Sequence, residues 1–161
     1  MEQLIAYMLT WTTYGTWLQG DSRGWVKNSR VLGQNNGLKK SNTLLLKKEP
    51  VKLGPEQKQV VAKCIEVESQ RLGHKIFALA VCSDHVHVLL ETSKDSPAQT
   101  AQRYKRITTH ALQKNGMTGK VWTKGYDKRY CFTPKVLTAR IAYIERHKPP
   151  NQGLRAKKQS N

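Results

Sequence analysis

Cysteine is scarce in this sequence of 161 residues, and its three cysteines, Cys64, Cys82 and Cys131, lie far apart. An odd number of cysteines without a CxxC pair argues against a disulfide framework and against a cysteine-based zinc site. We therefore expect buried thiols in a protein of a reducing compartment.

Long apolar runs are absent too, since no stretch approaches the roughly 18 consecutive apolar residues of a membrane span. The sequence starts with Met1-Glu2-Gln3, which is not a basic leader region, and the apolar stretch that follows is too short for a signal peptide. These absences predict a cytoplasmic protein without a membrane partner.

Acidic residues are also few. Asp and Glu together number 11 against 28 Lys and Arg, so the formal net charge is +17. A small domain usually carries a net charge of about 2 to 8, and such an excess favours a polyanionic partner, with nucleic acid as the first candidate. An acidic membrane is the second, but the sequence has no basic amphipathic helix with an apolar Trp, Phe and Leu face. We therefore expect association with the nucleoid.

Strand and helix signals alternate along the chain. They predict, in order, a strand over 4–14, a helix over 55–72, a hairpin of strands 76–82 and 85–91, a helix over 97–114, a broken strand region over 121–132 and a helix over 134–147. Without its last helix this is the βαββαβ pattern of a ferredoxin-like fold. We therefore predict an α+β protein with a ferredoxin-like antiparallel sheet and an additional C-terminal helix. A single domain covers 1–153, and the basic segment 154–161 is expected to be a disordered tail.

Some residues receive plainer interpretations. The segment 20–50 is expected to be irregular, with a short hairpin and a turn at Gln34–Gly37. His74 follows a helix-ending glycine and is expected to be a solvated loop residue. His110 is expected at the surface of its helix, and Trp11 is expected in the core.

Two histidines share one face of the predicted strand over 85–91. Side chains alternate along a strand, so His85 and His87 point the same way while Val86 and Val88 point toward a core. Two imidazoles on one sheet face can share a divalent cation, although two unrelated surface histidines would give the same pattern. Titratable rings destabilise an otherwise apolar strand, and this favours the metal site.

The last predicted helix carries a tyrosine and a histidine one turn apart. Tyr143 and His147 share a face because they are four residues apart, with Arg140 one turn earlier and a separate stripe of Leu and Ile for docking. From periodicity alone, a packing aromatic at the edge of that stripe is the favoured interpretation of Tyr143. Tyr126 and Tyr130, in the basic stretch WTKGYDKRY, are rival nucleophiles or base-stacking platforms.

These segments together resemble a known family. The histidine pair within CSDHVHVLLE resembles the His-hydrophobic-His (HUH) motif, and the late helix ending AYIERHKPP resembles the catalytic helix of the single-tyrosine HUH transposases. These are the IS200/IS605-like enzymes and the REP-associated tyrosine transposases. The opening TWTTYGTWLQGDSRGWV resembles the N-terminal segment common in the REP-associated group, so the resemblance extends from the first strand through Gly153-Leu154.

The resemblance implies a role for each matching residue. His85 and His87 would bind a divalent metal, Mg²⁺ or Mn²⁺, and Tyr143 would be the nucleophile that forms a 5′-phosphotyrosine on single-stranded DNA near a hairpin. The position four residues after the tyrosine would supply a third ligand. Here it is His147, where family members more often carry a carboxamide, and imidazole suits softer divalent ions better than Mg²⁺. The resemblance also implies a homodimer, and it leaves open whether the tyrosine helix serves its own subunit or completes the active site of the partner.

Basic residues near these elements are expected to contact DNA phosphates. They are Arg103, Lys105, Arg106, Lys124, Lys128, Arg129 and Arg140. Two other functions remain open on the sequence. One is a non-catalytic, domesticated nucleic-acid-binding protein, and the other is a metal-dependent phosphodiesterase that uses water.

Overall fold

Six strands and four helices make up the part of the chain that the structure, a computed structural model, describes, namely residues 3–16, 25–27, 30–46, 48–150 and 152. The strands are β1 (Ala6–Thr12), β2 (Trp25–Lys27), β3 (Arg30–Leu32), β4 (Ile76–Val81), β5 (His85–Glu91) and β6 (Asp127–Cys131). The helices are α1 (Asn36–Leu44), α2 (Pro55–Leu72), α3 (Pro97–Lys114) and α4 (Pro134–His147). None of these helices is long and apolar enough to cross a bilayer.

Four of the strands form one antiparallel sheet in the order β4-β5-β1-β6. β1 lies between β5 and β6, so Thr10 is paired with His87 on one side and with Asp127 on the other. β4 and β5 form the predicted tight hairpin, in which the Cys82 N–H donates to the His85 carbonyl at 2.8 Å. With α2 between β1 and β4, and α3 between β5 and β6, this is the ferredoxin-like arrangement. The predicted fold class is therefore confirmed.

The two faces of this sheet have separate cores because side chains alternate along each strand. Helices α2 and α3 cover one face, whose core contains Trp11, Val86 and Val88, and Trp11 is only 1% exposed, as expected. Helix α4 covers the other face, where Ile144 lies in one cluster with Leu89. The side chains that point toward α4 from β5 are therefore those with odd residue numbers.

Local sequence signals set the helix ends. Ser96 accepts a hydrogen bond from the Gln99 N–H at 3.2 Å, and the Gln99 side chain accepts one from the Ser96 N–H at 2.9 Å, which together form a capping box before α3. Thr133 caps α4 by accepting from the Val136 N–H at 3.2 Å. The three long helices each have proline at the first position, and they begin where the sequence predicts.

The segment 20–50 departs from the prediction at one point. A short hairpin of β2 and β3 is present as expected, but Asn36 begins helix α1 and the turn predicted at Gln34–Gly37 is wrong. Asn35 caps this helix, because its side chain accepts a hydrogen bond from the Leu38 N–H at 3.0 Å. Asparagine favours turns and helix N-caps alike, so the residue type does not distinguish between them.

His74 is buried, so the expectation of a solvated loop residue is wrong. Its side chain is 2% exposed, and its Nδ1 lies 2.8 Å from the Tyr104 hydroxyl. Its Nε2 donates to Asp95 at 2.7 Å, since a carboxylate only accepts. The same bond lowers the pKa of Asp95. This network ties the start of β4 to α3 and to the loop that precedes α3.

The segment after α4 is held against the edge strand β4. The Gln152 side chain accepts a hydrogen bond from the Val81 N–H at 2.8 Å and donates one to the Val81 carbonyl, as a neighbouring strand would do at a sheet edge. The Cys82 thiol donates to the His147 carbonyl at 3.3 Å. These contacts fix the C-terminal end of α4 beside the β4–β5 turn. The tail predicted over 154–161 lies outside the described residues.

Tyr104→Phe removes only the hydroxyl that bonds to His74. Because Tyr104 is fully buried, the His74 nitrogen loses its partner without gaining water, and the free energy of unfolding should fall by about 1–3 kcal/mol. Urea unfolding followed by circular dichroism measures this change. Tyr126→Phe, at an exposed tyrosine, should alter stability by less than about 0.5 kcal/mol. Equal losses in the two variants would contradict a buried network.

Candidate functional site

Strand β5 presents His85 and His87 on the sheet face that α4 covers. Val86 and Val88 are fully buried on the opposite face, as strand alternation predicts. The centroids of the two imidazole rings are 4.7 Å apart and the ring planes meet at 70°. His87 is only 6% exposed, whereas His85 lies at the end of the strand near the turn. The pair forms a largely buried floor for the site.

Helix α4 brings Tyr143 and His147 to the same place. Its apolar stripe, which includes the fully buried Ile144, packs on the sheet and leaves Tyr143 38% exposed. The centroid of the Tyr143 ring is 5.5 Å from that of His87 and 4.3 Å from that of His147, and the His87 and His147 centroids are 5.6 Å apart. Three imidazoles and a solvent-exposed phenol therefore meet at one location.

Hydrogen bonds fix the proton position on two of the imidazoles. His85 Nδ1 donates to Asp84 Oδ1 at 2.6 Å, and His147 Nδ1 donates to the Tyr143 carbonyl at 2.8 Å. A carboxylate and a carbonyl only accept hydrogen bonds, so Nδ1 carries the proton in both rings. When these rings are neutral, the lone pair is therefore on Nε2.

The third imidazole, His87, is held neutral. Its Nδ1 lies 2.8 Å from the Thr10 hydroxyl, which can donate or accept. Burial, and after it the neighbouring His85 and His147, together lower the pKa of His87 to about 3. Among the described residues, no hydrogen-bond partner reaches Nε2 of any of the three rings. Each ring can therefore offer the Nε2 lone pair when it is neutral and carries its proton on Nδ1.

This donor set suits a divalent metal ion. Neutral imidazole nitrogens bind such ions, and a hydrogen bond on the other ring nitrogen commonly orients them. The ligands are not preassembled, however, because within the described ranges no three His, Cys, Asp or Glu side chains are placed to hold an ion. His147 instead lies back against its own helix through its bond to the Tyr143 carbonyl. The three-histidine site stays a prediction that the donor chemistry supports.

Sequence analysis does not identify two residues of this site, Thr10 and Asp84. Thr10 reaches His87 only because β1 and β5 pair in a register that sets the two residues opposite each other. Asp84 directly precedes His85, and a carboxylate beside a candidate ligand histidine is a signal that could have been used. The Asp84 carboxylate also lies 3.5 Å from the Lys52 ammonium.

A family model described as "Transposase IS200 like" matches residues 43–147, more than half of the chain. The chain belongs to the IS200-like transposase family. The matched segment contains β5 and all of α4, and so includes the ring cluster, namely His85, His87, Tyr143 and His147. Transposases cleave and transfer DNA strands, so the geometry of the site has to account for this reaction.

Two solved structures resemble this transposase. One is a REP-associated tyrosine transposase bound to a REP hairpin, with 13% identity over 89% of this chain and 67% of that chain, and a TM-score of 0.56. The other is a candidate transposase from Deinococcus radiodurans, with 15% identity over 91% of this chain and 92% of that chain, and a TM-score of 0.38. The first likeness supports the fold. No curated protein sequence matches the chain.

Arg140 of the transposase lies beside Cys131 rather than among the imidazoles. Burial raises the pKa of the Cys131 thiol, and the Arg140 guanidinium partly opposes that rise. Cys131 pairs with Ala6 of β1, whereas His87 pairs with Thr10 of the same strand. Ala6 and Thr10 are four residues apart, which is about 13 Å along the strand. Arg140 is therefore separate from the imidazoles, and its contact with DNA stays a prediction.

The three basic residues predicted on α3 lie on the helix layer opposite α4. Lys105 donates to two backbone carbonyls of the loop over 123–125, at 2.7 and 2.8 Å, and burial lowers its pKa. Arg103 pairs with Glu68 at 3.3 Å, while Arg106 is exposed. Lys105 therefore has a structural task, and contact of all three with DNA stays a prediction.

The remaining predicted contacts lie on or just before β6, at the edge of the sheet. Lys124, Lys128 and Arg129 are all exposed. Arg129 Nε lies 3.1 Å from Asp127, and the Lys128 ammonium lies 5.6 Å from the centre of the Tyr130 ring. β6 pairs with β1, and β1 pairs with the strand of His87, so this basic edge lies two strands from His87.

The hydrogen bonds predict the proton positions of two histidines. In the neutral rings, His85 and His147 should carry the proton on Nδ1, which ¹⁵N NMR of the imidazole nitrogens detects. Asp84→Ala removes the acceptor and should abolish this preference at His85 while His147 keeps it. Asp84→Asn retains an acceptor oxygen and should behave like the unmodified protein. A proton on Nε2 of His85 in the unmodified protein would contradict the geometry.

Proposed function

We propose that this transposase cuts and rejoins single-stranded DNA through a covalent bond between Tyr143 and the 5′-phosphate at the cut. One observation carries the proposal, which is the position of the phenol. Tyr143 is 38% exposed, and its ring centroid lies 5.5 Å from that of His87 and 4.3 Å from that of His147. A tyrosine buried in the core, or remote from these imidazoles, could not attack a phosphate bound beside them.

In the proposed step the Tyr143 oxygen attacks the scissile phosphorus. The bond between this oxygen and phosphorus forms while the bond from phosphorus to the 3′ oxygen breaks. The phenol proton passes to solvent, and the departing 3′ oxygen takes up a proton to become a hydroxyl. One phosphodiester replaces another, so attack by a 3′-OH on the phosphotyrosine rejoins a strand without ATP.

We further propose that His85, His87 and His147 hold a divalent cation, Mg²⁺ or Mn²⁺, through their Nε2 atoms. The low pKa of His87, about 3, keeps its lone pair available at neutral pH. When bound, the ion polarises the scissile phosphate and neutralises charge that develops on its oxygens. Because imidazole suits Mn²⁺ better than Mg²⁺, we expect Mn²⁺ to support the faster reaction.

The proposed substrate is single-stranded DNA with an adjacent hairpin. A formal net charge of +17 attracts the phosphate backbone, and the exposed Arg129 of β6 lies on the same sheet face as the ring cluster, because it is two residues from Cys131 of the cluster under α4. A REP hairpin is bound by the REP-associated transposase that shares this fold. We propose a DNA hairpin as the partner here on the strength of that fold and of this charge.

All four rings of the site belong to one chain. The proposed chemistry therefore does not need a second subunit to complete the site. A homodimer, which the sequence resemblance implies, would bring two such sites together for strand exchange.

Tyr143→Phe tests the proposal, because it removes the attacking oxygen and keeps the ring. A labelled single-stranded oligonucleotide with a hairpin is incubated with the protein and Mn²⁺ and run on a denaturing gel. The unmodified protein should give a covalent protein–DNA band, which Tyr143→Phe abolishes with unchanged DNA affinity. Tyr126→Phe, at another exposed tyrosine, is the matched control and should keep the band.

Removal of the metal with a chelator should also abolish the band. Cleavage that leaves no protein on the DNA would instead indicate a phosphodiesterase that uses water. DNA binding without cleavage, with either metal, would indicate a non-catalytic DNA-binding relative. Either result would contradict the proposed function.

A further inference from the structure

Two aromatic side chains lie exposed together at the end of β6. Tyr130 is 39% and Phe132 is 42% exposed, and their ring centroids are 6.1 Å apart with planes tilted by 58°. The Lys128 ammonium lies 5.6 Å from the centre of the Tyr130 ring. Lys128 and Tyr130 of β6 and Phe132 directly after the strand therefore combine two exposed π surfaces with a cation.

This exposure follows from where the helix layer ends. Cys131, between the two aromatic residues, is fully buried in the cluster under α4, so strand alternation turns Tyr130 to the opposite face, and the ring contact places Phe132 beside it. The neighbour of Tyr130 on β1 is Tyr7, which is 2% exposed and bonds to Thr100 of α3 at 3.1 Å. Helix α3 thus covers β1 but leaves the edge strand β6 uncovered.

We propose that Lys128, Tyr130 and Phe132 form a platform on which unpaired bases of the DNA substrate stack, an assignment that rests on the proposed function. Every base has a π face, so aromatic side chains bind single strands with little dependence on sequence. The ammonium of Lys128 supplies the matching contact to a phosphate. The two ring planes are tilted rather than parallel, so each ring offers its face to a separate base.

The register of the sheet locates this platform relative to the ring cluster. His87 pairs with Thr10 and Thr10 with Asp127, so Asp127 is two strand spacings from His87, and Tyr130 is three residues farther along β6. Strand spacings of about 4.8 Å and a rise of about 3.4 Å per residue place the two sites roughly 14 Å apart in the plane of the sheet. They lie on opposite faces, so the single strand crosses the basic edge of β6 between them.

The alternative to DNA at the exposed edge strand β6 is a second copy of the chain, which could pair with that strand. Edge pairing is opposed here because Lys124, Lys128 and Arg129 are exposed along this edge, and charged side chains on an edge strand disfavour pairing with another strand. The same charges attract a polyanion, which favours DNA.

The platform is tested by DNA binding in the Tyr143→Phe protein, which cannot cleave, using a fluorescent single-stranded oligonucleotide with a hairpin. Addition of Tyr130→Ala alone, or of Phe132→Ala alone, should weaken binding by about 5- to 100-fold, with an unchanged dependence on salt. Lys128→Ala should instead reduce the slope of log affinity against log salt by about 0.7. Exchange of the two aromatic types, Tyr130→Phe with Phe132→Tyr, should preserve affinity because both π faces remain.

An abasic-site scan supplies the decisive control. Removal of single bases within a few nucleotides of the cleaved phosphate should weaken binding at one or two positions. On an oligonucleotide that lacks the base at such a position, Tyr130→Ala and Phe132→Ala should weaken binding no further, whereas at all other positions they should still weaken it. Val67→Ala, at an exposed apolar residue of α2, should leave affinity unchanged at every position. Equal losses with and without the base would overturn the proposal, as would a change in oligomeric state in the alanine variants. Covalent capture by Tyr143 is measured separately, so either claim can fail alone.

Discussion

The docking of α4 on the sheet is the interaction on which the site depends. Ile144 is fully buried in a cluster with Leu89, and each of these has a functional ring as neighbour, since Tyr143 precedes Ile144 while His87 lies two residues before Leu89. Burial of one such side chain stabilises the fold by about 1.5–3 kcal/mol. Apolar packing therefore sets the separation of the phenol and the imidazoles, and the polar contacts then orient the rings.

The electrostatics of the protein divide into a charged surface and a neutral site. The formal net charge of +17 acts over the whole surface and attracts DNA. At the ring cluster, by contrast, His87 is uncharged because burial and its neighbours lower its pKa to about 3. Asp84 accepts a hydrogen bond from Nδ1 of His85, and the Thr10 hydroxyl is hydrogen-bonded to Nδ1 of His87. The basic surface residues thus attract the DNA, while the neutral histidines of the site take part in the chemistry.

Local sequence signals predict most of the strands and helices, whereas side-chain contacts between distant parts of the chain are not predictable from them. Alternation along one strand placed His87 correctly, but its bond to Thr10 joins residues 77 positions apart and depends on strand register. Periodicity favoured a packing role for Tyr143, and only the docking of the helix leaves it 38% exposed. The burial of His74 depends on its contact with Tyr104 of α3, which the local sequence does not predict. Asn35 caps a helix, although its residue type predicts a turn equally well.

The most direct test of the account is the position of Mn²⁺ in crystals of the protein, located by anomalous diffraction. The account predicts one ion bound to Nε2 of His85, His87 and His147, with the Tyr143 hydroxyl directed toward the open side of that ion. An ion bound elsewhere, or one that binds the two histidines of β5 while Tyr143 and His147 face away from it, would contradict the central claim.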